Sequence, residues 1–146
     1  MNAHQSTANP ATSITGESGL TVQVPPRWGD MDAYGHVNHA LFWRYLESAR
    51  IALFEEACGA ADLPMLVVAE ARCRYLAELC YPATVEVHSA WQDVRGSSLV
   101  VDAEIREGEQ LCAVAQVQLV CFDPLRRKPT RLPPDFLAAI GAYVRV

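Results

Sequence analysis

A long helical pattern followed by a series of strand patterns constrains the fold of this chain more than any other feature. From Asn38 to Cys58, apolar residues recur at spacings of three and four, which places them on one face of a helix. These residues are Phe42, Leu46, Ala49, Leu53 and Ala57. Because Trp43, Tyr45 and Phe54 widen the apolar sector, we expect this helix to be buried more deeply than a surface helix. Gly59 is a natural end for it.

Alternation of apolar and polar residues, which is typical of half-buried strands, occurs on both sides of this helix. The predicted strands are 20–24, 69–75, 84–94, 99–106 and 111–122. Tight turns at 95–97 and 107–109 favour antiparallel neighbours, and Pro133 and Pro134 precede a short terminal helix. The order of elements predicts an α+β fold in which a curled antiparallel five-stranded sheet wraps around the central helix.

The length of 146 residues is typical of one globular domain, and 51% hydrophobic with 20% charged residues is an ordinary composition for one. Residues 1–19 are small and polar, so we predict a flexible N-terminal tail and a single domain over 20–146. Since no apolar run is long enough to cross a bilayer and the start does not read as a secretory signal, we expect a cytoplasmic protein with no membrane partner.

The net charge of −5 argues against nucleic acid as a partner, because phosphate binding depends on clustered basic residues. The basic cluster consists of Arg126, Arg127, Lys128 and Arg131. We interpret it as a solvated loop, with contact to the phosphates of a nucleotide-bearing substrate as the alternative. The cysteines are odd in number and contain no C-x-x-C pair, which predicts buried, reduced thiols. They are Cys58, Cys73, Cys80, Cys112 and Cys121.

The segment from Arg27 to His39, between the first strand and the long helix, carries more polar residues than a simple connection needs. It contains two carboxylates, two histidines and an asparagine directly before an apolar helix. At a helix start, unsatisfied backbone N–H groups and the helix dipole favour negative charge. This segment could therefore form an oxyanion site.

The pattern R-W-x-D-x-D-x-x-G-H-V-N-H over 27–39, followed by Tyr45, Glu47 and Arg50, resembles the signature of 4-hydroxybenzoyl-CoA thioesterase-type hotdog proteins. The resemblance implies a hotdog fold and hydrolysis of an acyl-CoA thioester, or of an acyl carrier protein thioester, with no metal or organic cofactor. It also implies a homodimer or homotetramer with active sites at the subunit interface. The alternatives are a non-catalytic module that binds acyl thioesters and, more weakly, an enoyl-CoA hydratase on the same fold.

Asp32 occupies the position of the family's catalytic carboxylate, so the resemblance implies that it attacks the thioester carbonyl or activates a water. From residue type alone, a turn or helix-capping aspartate would be the commoner interpretation. We expect Asp30 to support the loop by accepting backbone hydrogen bonds or by pairing with Arg27, with a role as a second carboxylate of the site as the alternative. The resemblance also implies that backbone N–H groups at the helix start, above all that of His39, polarise the carbonyl.

The remaining candidate oxyanion or substrate contacts are Gly35, His36 and Asn38. For His36 we favour a hydrogen bond that organises the loop, and for Asn38 a helix cap or loop brace. His36 and His39 have the spacing of a metal pair, but a catalytic zinc site usually needs a third protein ligand, so we predict no metal. Glu47 can pair with Arg50 one turn along the helix and is the reserve catalytic carboxylate.

Overall fold

The computed structural model describes residues 18–59 and 63–141 of the chain. The N-terminal tail predicted over 1–19 lies almost entirely outside these residues. The described part consists of an antiparallel sheet packed against one long helix, with a short second helix near the end, so the α+β class is confirmed. None of its helices is long and apolar enough to cross a membrane.

The long helix, α1, runs from His39 to Cys58, as its apolar spacing predicts. Its buried residues are Phe42, Tyr45, Leu46, Ala49, Leu53 and Phe54. Asn38 caps the N-terminus by accepting a hydrogen bond from the Ala40 backbone N–H at 2.9 Å. Gly59 ends the helix with a φ of 71°, a conformation that glycine adopts without steric cost. Both predicted ends of the helix are therefore confirmed.

The sheet has six strands rather than the five that we predicted. They are β1 Leu20–Gln23, β2 Leu66–Tyr75, β3 Val85–Arg95, β4 Ser98–Glu107, β5 Gln110–Asp123 and β6 Lys128–Pro129. The order is β1-β3-β4-β5-β2, and β6 pairs with β5. The sixth strand was missed because it has only two residues, one of them a proline without an N–H, inside the basic cluster. The cluster is otherwise exposed, as predicted.

The core lies between α1 and one face of the sheet. From β3 and β4, Val87, Trp91 and Ile105 are fully buried against it. The second helix, α2, runs from Pro134 to Ile140 and places Phe136 edge-on to Trp91, with ring centroids 6.1 Å apart. This arrangement holds α1 at a fixed position on the sheet, and therefore also the loop that leads into α1.

The face of β4 that points away from α1 carries the polar residues of the alternation, and its carboxylates are buried. Asp102 and Glu104 are buried, and Glu104 is fully inaccessible. Arg106 forms an ion pair with Glu104 at 3.1 Å, and the side-chain amide of Gln116 donates to Asp102 at 2.9 Å. Buried carboxylates of this kind require such partners. Alternation in the sequence predicts which face a residue occupies but not whether that face is covered.

The cysteine prediction is confirmed only in part. All five cysteines are free, Cys112 and Cys121 are buried, and Cys58 and Cys73 are half-buried. Cys80 is exposed, so the prediction of burial was wrong there. It lies in the segment between β2 and β3, where no strand or helix pattern buries its side chain.

Candidate active site

The loop before α1 is fixed by Asp30, which is buried at the end of a short 3-10 helix over Trp28–Asp30. Its carboxylate accepts hydrogen bonds from the Arg27 backbone N–H at 2.9 Å and from the Tyr45 hydroxyl at 2.6 Å. The Arg27 guanidinium lies 3.5 Å from the same carboxylate. The predicted supporting role of Asp30 is therefore confirmed, but the hydrogen bond from Tyr45 was not foreseen.

The charge of Asp30 is stabilised by these partners. Burial alone would raise the pKa of Asp30, but the hydrogen bonds from Tyr45 and Arg27, together with the Arg27 charge, lower it below its ordinary value of 3.8. Burial and the Asp30 carboxylate raise the pKa of Tyr45 well above its usual range. The pair is thus an ionised carboxylate with a neutral phenol as its donor at neutral pH.

Asp32 begins a tight turn directly after this anchor. Its Oδ1 accepts a hydrogen bond from the Tyr34 backbone N–H at 2.9 Å, and its own N–H donates to the His36 carbonyl at 2.8 Å. Gly35 closes the turn with a φ of 78°, and its N–H donates to the Asp32 carbonyl at 3.1 Å. Asp32 therefore shapes the turn, as the alternative interpretation predicts, while its second carboxylate oxygen takes no part in that contact.

The first turn of α1 leaves one backbone donor available. The Ala40 N–H donates to the Asn38 side chain, and the Leu41 N–H donates to the Asn38 carbonyl at 2.8 Å. Within 18–59 and 63–141, the His39 N–H has no acceptor in the protein. The predicted cap at Asn38 is confirmed, and an N–H at the positive end of the helix dipole is free to bind a ligand.

Asp32 and the start of α1 border one open cavity of about 600 Å³, here called the Asp32 cavity. Its lining residues are Asp32, Tyr34, His36, Val37, His39, Phe42, Tyr75, Leu76, Ala77 and Glu78. Tyr75, the last residue of β2, lies edge-on to Phe42 with ring centroids 5.2 Å apart. Its hydroxyl donates to the His39 carbonyl at 3.3 Å, which ties the end of β2 to the start of α1.

The segment after β2 supplies one wall of the cavity. His36 Nε2 lies 2.8 Å from Glu78 Oε2, and the Val37 N–H donates to the Leu79 carbonyl at 2.7 Å. The loop hydrogen bond expected for His36 is therefore present. Its partner Glu78 was missed because it follows the β2 pattern, and no local motif in the sequence indicates that it faces the loop.

Not every predicted site residue reaches the cavity. Gly35 and Asn38 shape the turn and the cap but do not line it, and Glu47 is exposed farther along α1. Burial lowers the pKa of Arg50, and the charge of Glu47 opposes that shift. Among the described residues, however, the two side chains do not form the predicted ion pair. His36 and His39 both border the cavity. Among the described residues, no three or more histidine, cysteine or acidic side chains lie close enough to hold a metal ion.

The cavity thus combines three parts: a carboxylate that can attack a carbonyl group or activate a water, a free N–H at a helix start that can polarise the carbonyl, and an apolar wall. The sequence profile of the thioesterase-like superfamily matches residues 26–140, which include all of these parts. The chain belongs to the thioesterase-like superfamily. The predicted resemblance to a thioesterase family is thereby confirmed, and the protein is an enzyme of the thioester hydrolase class.

Individual relatives agree with this assignment. The chain is 32% identical over 115 residues to the acyl-CoA thioester hydrolase YbgC of Escherichia coli O6:H1. The matched region covers 75% of this chain and 86% of YbgC. The PA2801 protein of Pseudomonas aeruginosa is 34% identical, with a TM-score of 0.74 over 82% of this chain and 96% of that one. A Thermus thermophilus thioesterase complexed with coenzyme A and Zn is 27% identical, with a TM-score of 0.77 over 88% and 96%.

Proposed function

We propose that this protein hydrolyses acyl-CoA thioesters to the free acid and coenzyme A, with Asp32 as the catalytic carboxylate. The observation that carries the proposal is the shared position of the Asp32 carboxylate and the unpaired His39 N–H on one open cavity. The activity of YbgC and the coenzyme A complex of the Thermus thermophilus relative support the substrate class.

In this mechanism the thioester carbonyl oxygen accepts a hydrogen bond from the His39 N–H. The developing negative charge is then stabilised by that donor and by the positive end of the α1 dipole. The Asp32 oxygen that does not bind Tyr34 either attacks the carbonyl carbon or removes a proton from an attacking water. Both routes use the same oxygen and the same oxyanion donor, and neither requires a metal or an organic cofactor.

The apolar residues that line the cavity suit an apolar acyl group. Phe42 and Tyr75 pack edge to face, and Leu76 continues the apolar surface beyond them. Tyr75 and Leu76 are more than two-fifths exposed in the single chain, so a bound acyl group would cover apolar surface that is open to water.

We further infer a hotdog fold that assembles as a homodimer or homotetramer in the cytoplasm. The edge position of β2 supports assembly, because among residues 18–59 and 63–141 β2 pairs with β5 alone and most of its residues are exposed. Met65 and Val68 are each about half exposed at this edge. An unpaired strand edge with apolar residues is a surface that a second copy of the chain can cover.

A panel of aromatic, short-chain and long-chain acyl-CoA esters, followed by release of free thiol, tests the proposed activity. We expect hydrolysis of at least one class, unchanged by a metal chelator. Loss of activity on chelation, restored by added zinc or manganese, would contradict the metal-free mechanism. Binding of the esters without hydrolysis would instead favour a non-catalytic module that binds acyl thioesters. The same panel includes an acyl carrier protein thioester, to test whether the protein accepts that carrier in place of coenzyme A.

A further inference from the structure

We propose that His36, held by Glu78, transfers the proton that the departing thiolate requires. This inference rests on the proposed thioester hydrolysis and adds a second catalytic residue to Asp32. Glu78 is a positioning residue in this scheme, because it acts on the substrate only through the imidazole.

The backbone of the Asp32 turn, as well as the contact between His36 and Glu78, places the imidazole at the reacting centre. His36 and Asp32 belong to the same turn, closed by the 2.8 Å hydrogen bond from the Asp32 N–H to the His36 carbonyl. Asp32, His36 and Glu78 all line the Asp32 cavity. A substrate carbonyl bound between Asp32 and the His39 N–H would therefore have the imidazole beside its leaving group.

The contact between His36 and Glu78 contributes little to stability. Their side chains are 42% and 64% exposed, and solvent-exposed ion pairs typically add no more than about 1 kcal/mol. The loop is already attached to the segment after β2 through the hydrogen bond from the Val37 N–H to the Leu79 carbonyl. What the pair adds is the orientation of the imidazole ring.

That orientation defines which ring nitrogen exchanges the proton. An ionised carboxylate can only accept hydrogen bonds, so the His36 Nε2 that faces Glu78 carries a hydrogen. Nδ1 is then the atom that can gain and lose a proton during turnover. Histidine is suited to this because its neutral ring has one donor and one acceptor nitrogen, so it can donate to Glu78 at one atom and exchange a proton at the other.

The proton balance closes over one turnover. If Asp32 attacks, the C–S bond breaks, its electron pair goes to sulfur, and Nδ1 of the imidazolium gives sulfur a proton. The neutral imidazole then removes a proton from water, whose oxygen attacks the acyl-Asp32 carbonyl and releases the carboxylate. If Asp32 instead removes a proton from water, it later passes that proton to Nδ1, and His36 still protonates the sulfur.

The test compares two small thioesters with the same acyl group, an N-acetylcysteamine ester and a thiophenyl ester. An aryl thiolate is a weaker base than an alkyl thiolate and leaves without a proton. We therefore expect His36→Gln to lower kcat/KM for the N-acetylcysteamine ester by about 10²-fold or more, and to lower it for the thiophenyl ester by less than about tenfold. Glu78→Gln should show the same preference with a smaller loss.

The control is Glu55→Gln, which changes an exposed carboxylate of α1 that does not border the cavity. It should leave both rates unchanged, and thermal unfolding should show that all three variants are folded. Equal losses of His36→Gln on the two esters, or no loss on either, would overturn the inference. A wild-type protein inactive on every thioester would instead contradict the proposed function itself.

Discussion

The hydroxyl of Tyr45 donates a 2.6 Å hydrogen bond to Oδ2 of Asp30 and so connects the buried side of α1 to the loop that carries Asp32. The carbonyl of Asp30 accepts the Asn38 N–H at 2.9 Å, immediately before the helix begins. Asp30 therefore links the second turn of the helix, the N-terminal cap at Asn38 and the turn that contains Asp32. The separation of the Asp32 carboxylate from the His39 N–H depends on this link.

Tyr45→Phe should destabilise the protein by about 1.5–3 kcal/mol at neutral pH, because it leaves a buried carboxylate without its phenol donor. Urea unfolding measures this change in the free energy of unfolding. Tyr81→Phe is the control, since Tyr81 is 44% exposed and lies between β2 and β3. A loss at Tyr45 no larger than at Tyr81 would show that the hydrogen bond does not hold the loop.

The same variant should change how stability depends on pH. The folded-state pKa of Asp30 lies below its ordinary value of 3.8, so its ionised form stabilises the fold above that value. This contribution is lost as the pH falls through the folded-state pKa. We expect the gap in unfolding free energy between wild type and Tyr45→Phe to be largest near pH 7 and to narrow progressively below about pH 4. A gap that stays constant on acidification would show that the ionised form of Asp30 is not what the Tyr45 hydroxyl stabilises.

The conformation of Gly35 predicts a second effect in the loop. Its φ of 78° costs a residue with a Cβ about 1–2 kcal/mol, so Gly35→Ala should destabilise the protein and disturb the Asp32 turn. Gly29→Ala is the matched control, because neither added Cβ has an atom within 4 Å and Gly29 has no positive φ. The midpoint temperature of thermal unfolding and kcat should both fall for Gly35→Ala and stay unchanged for Gly29→Ala. Equal stability and equal kcat of the two variants would mean that the Asp32 turn does not need a glycine at position 35.

Local patterns in the sequence predict the elements well but not the contacts between them. The spacing of Phe42 and Leu46 predicts α1, and the polar loop before it predicts the position of the site. The family signature draws attention to Asp32 because its spacing is fixed within one short segment.

Contacts between distant segments leave no such local trace. Glu78 lies beyond the end of β2, far along the chain from His36, and the partner of the Tyr45 hydroxyl, Asp30, lies 15 residues before it. The full burial of Glu104 likewise depends on what covers the outer face of β4. These features follow from tertiary packing, which overrides what residue type and alternation predict.

The exposed edge of β2 predicts that assembly and catalysis are coupled. Light scattering should show a dimer or tetramer, and Val68→Lys, which places a charge on this edge, should shift the population towards monomers with reduced hydrolysis. Leu125→Lys is the control, because Leu125 is 93% exposed beyond the end of β5. A folded wild-type monomer with full turnover would show that one chain builds the whole site.

The most direct test of the central claim is the turnover of Asp32→Asn. The amide oxygen can still accept the Tyr34 N–H, so the turn is kept while the carboxylate is lost. Asp123→Asn is the matched control, since Asp123 also accepts backbone N–H groups within a turn, from Leu125 and Arg126.

Thiol release from the preferred acyl-CoA ester should fall by about three orders of magnitude in Asp32→Asn and stay near the wild-type rate in Asp123→Asn. Glu47→Gln, measured alongside, should retain most of its activity. Near-full turnover in a folded Asp32→Asn protein would contradict the assignment of Asp32, and a larger loss in Glu47→Gln would move the catalytic carboxylate onto α1.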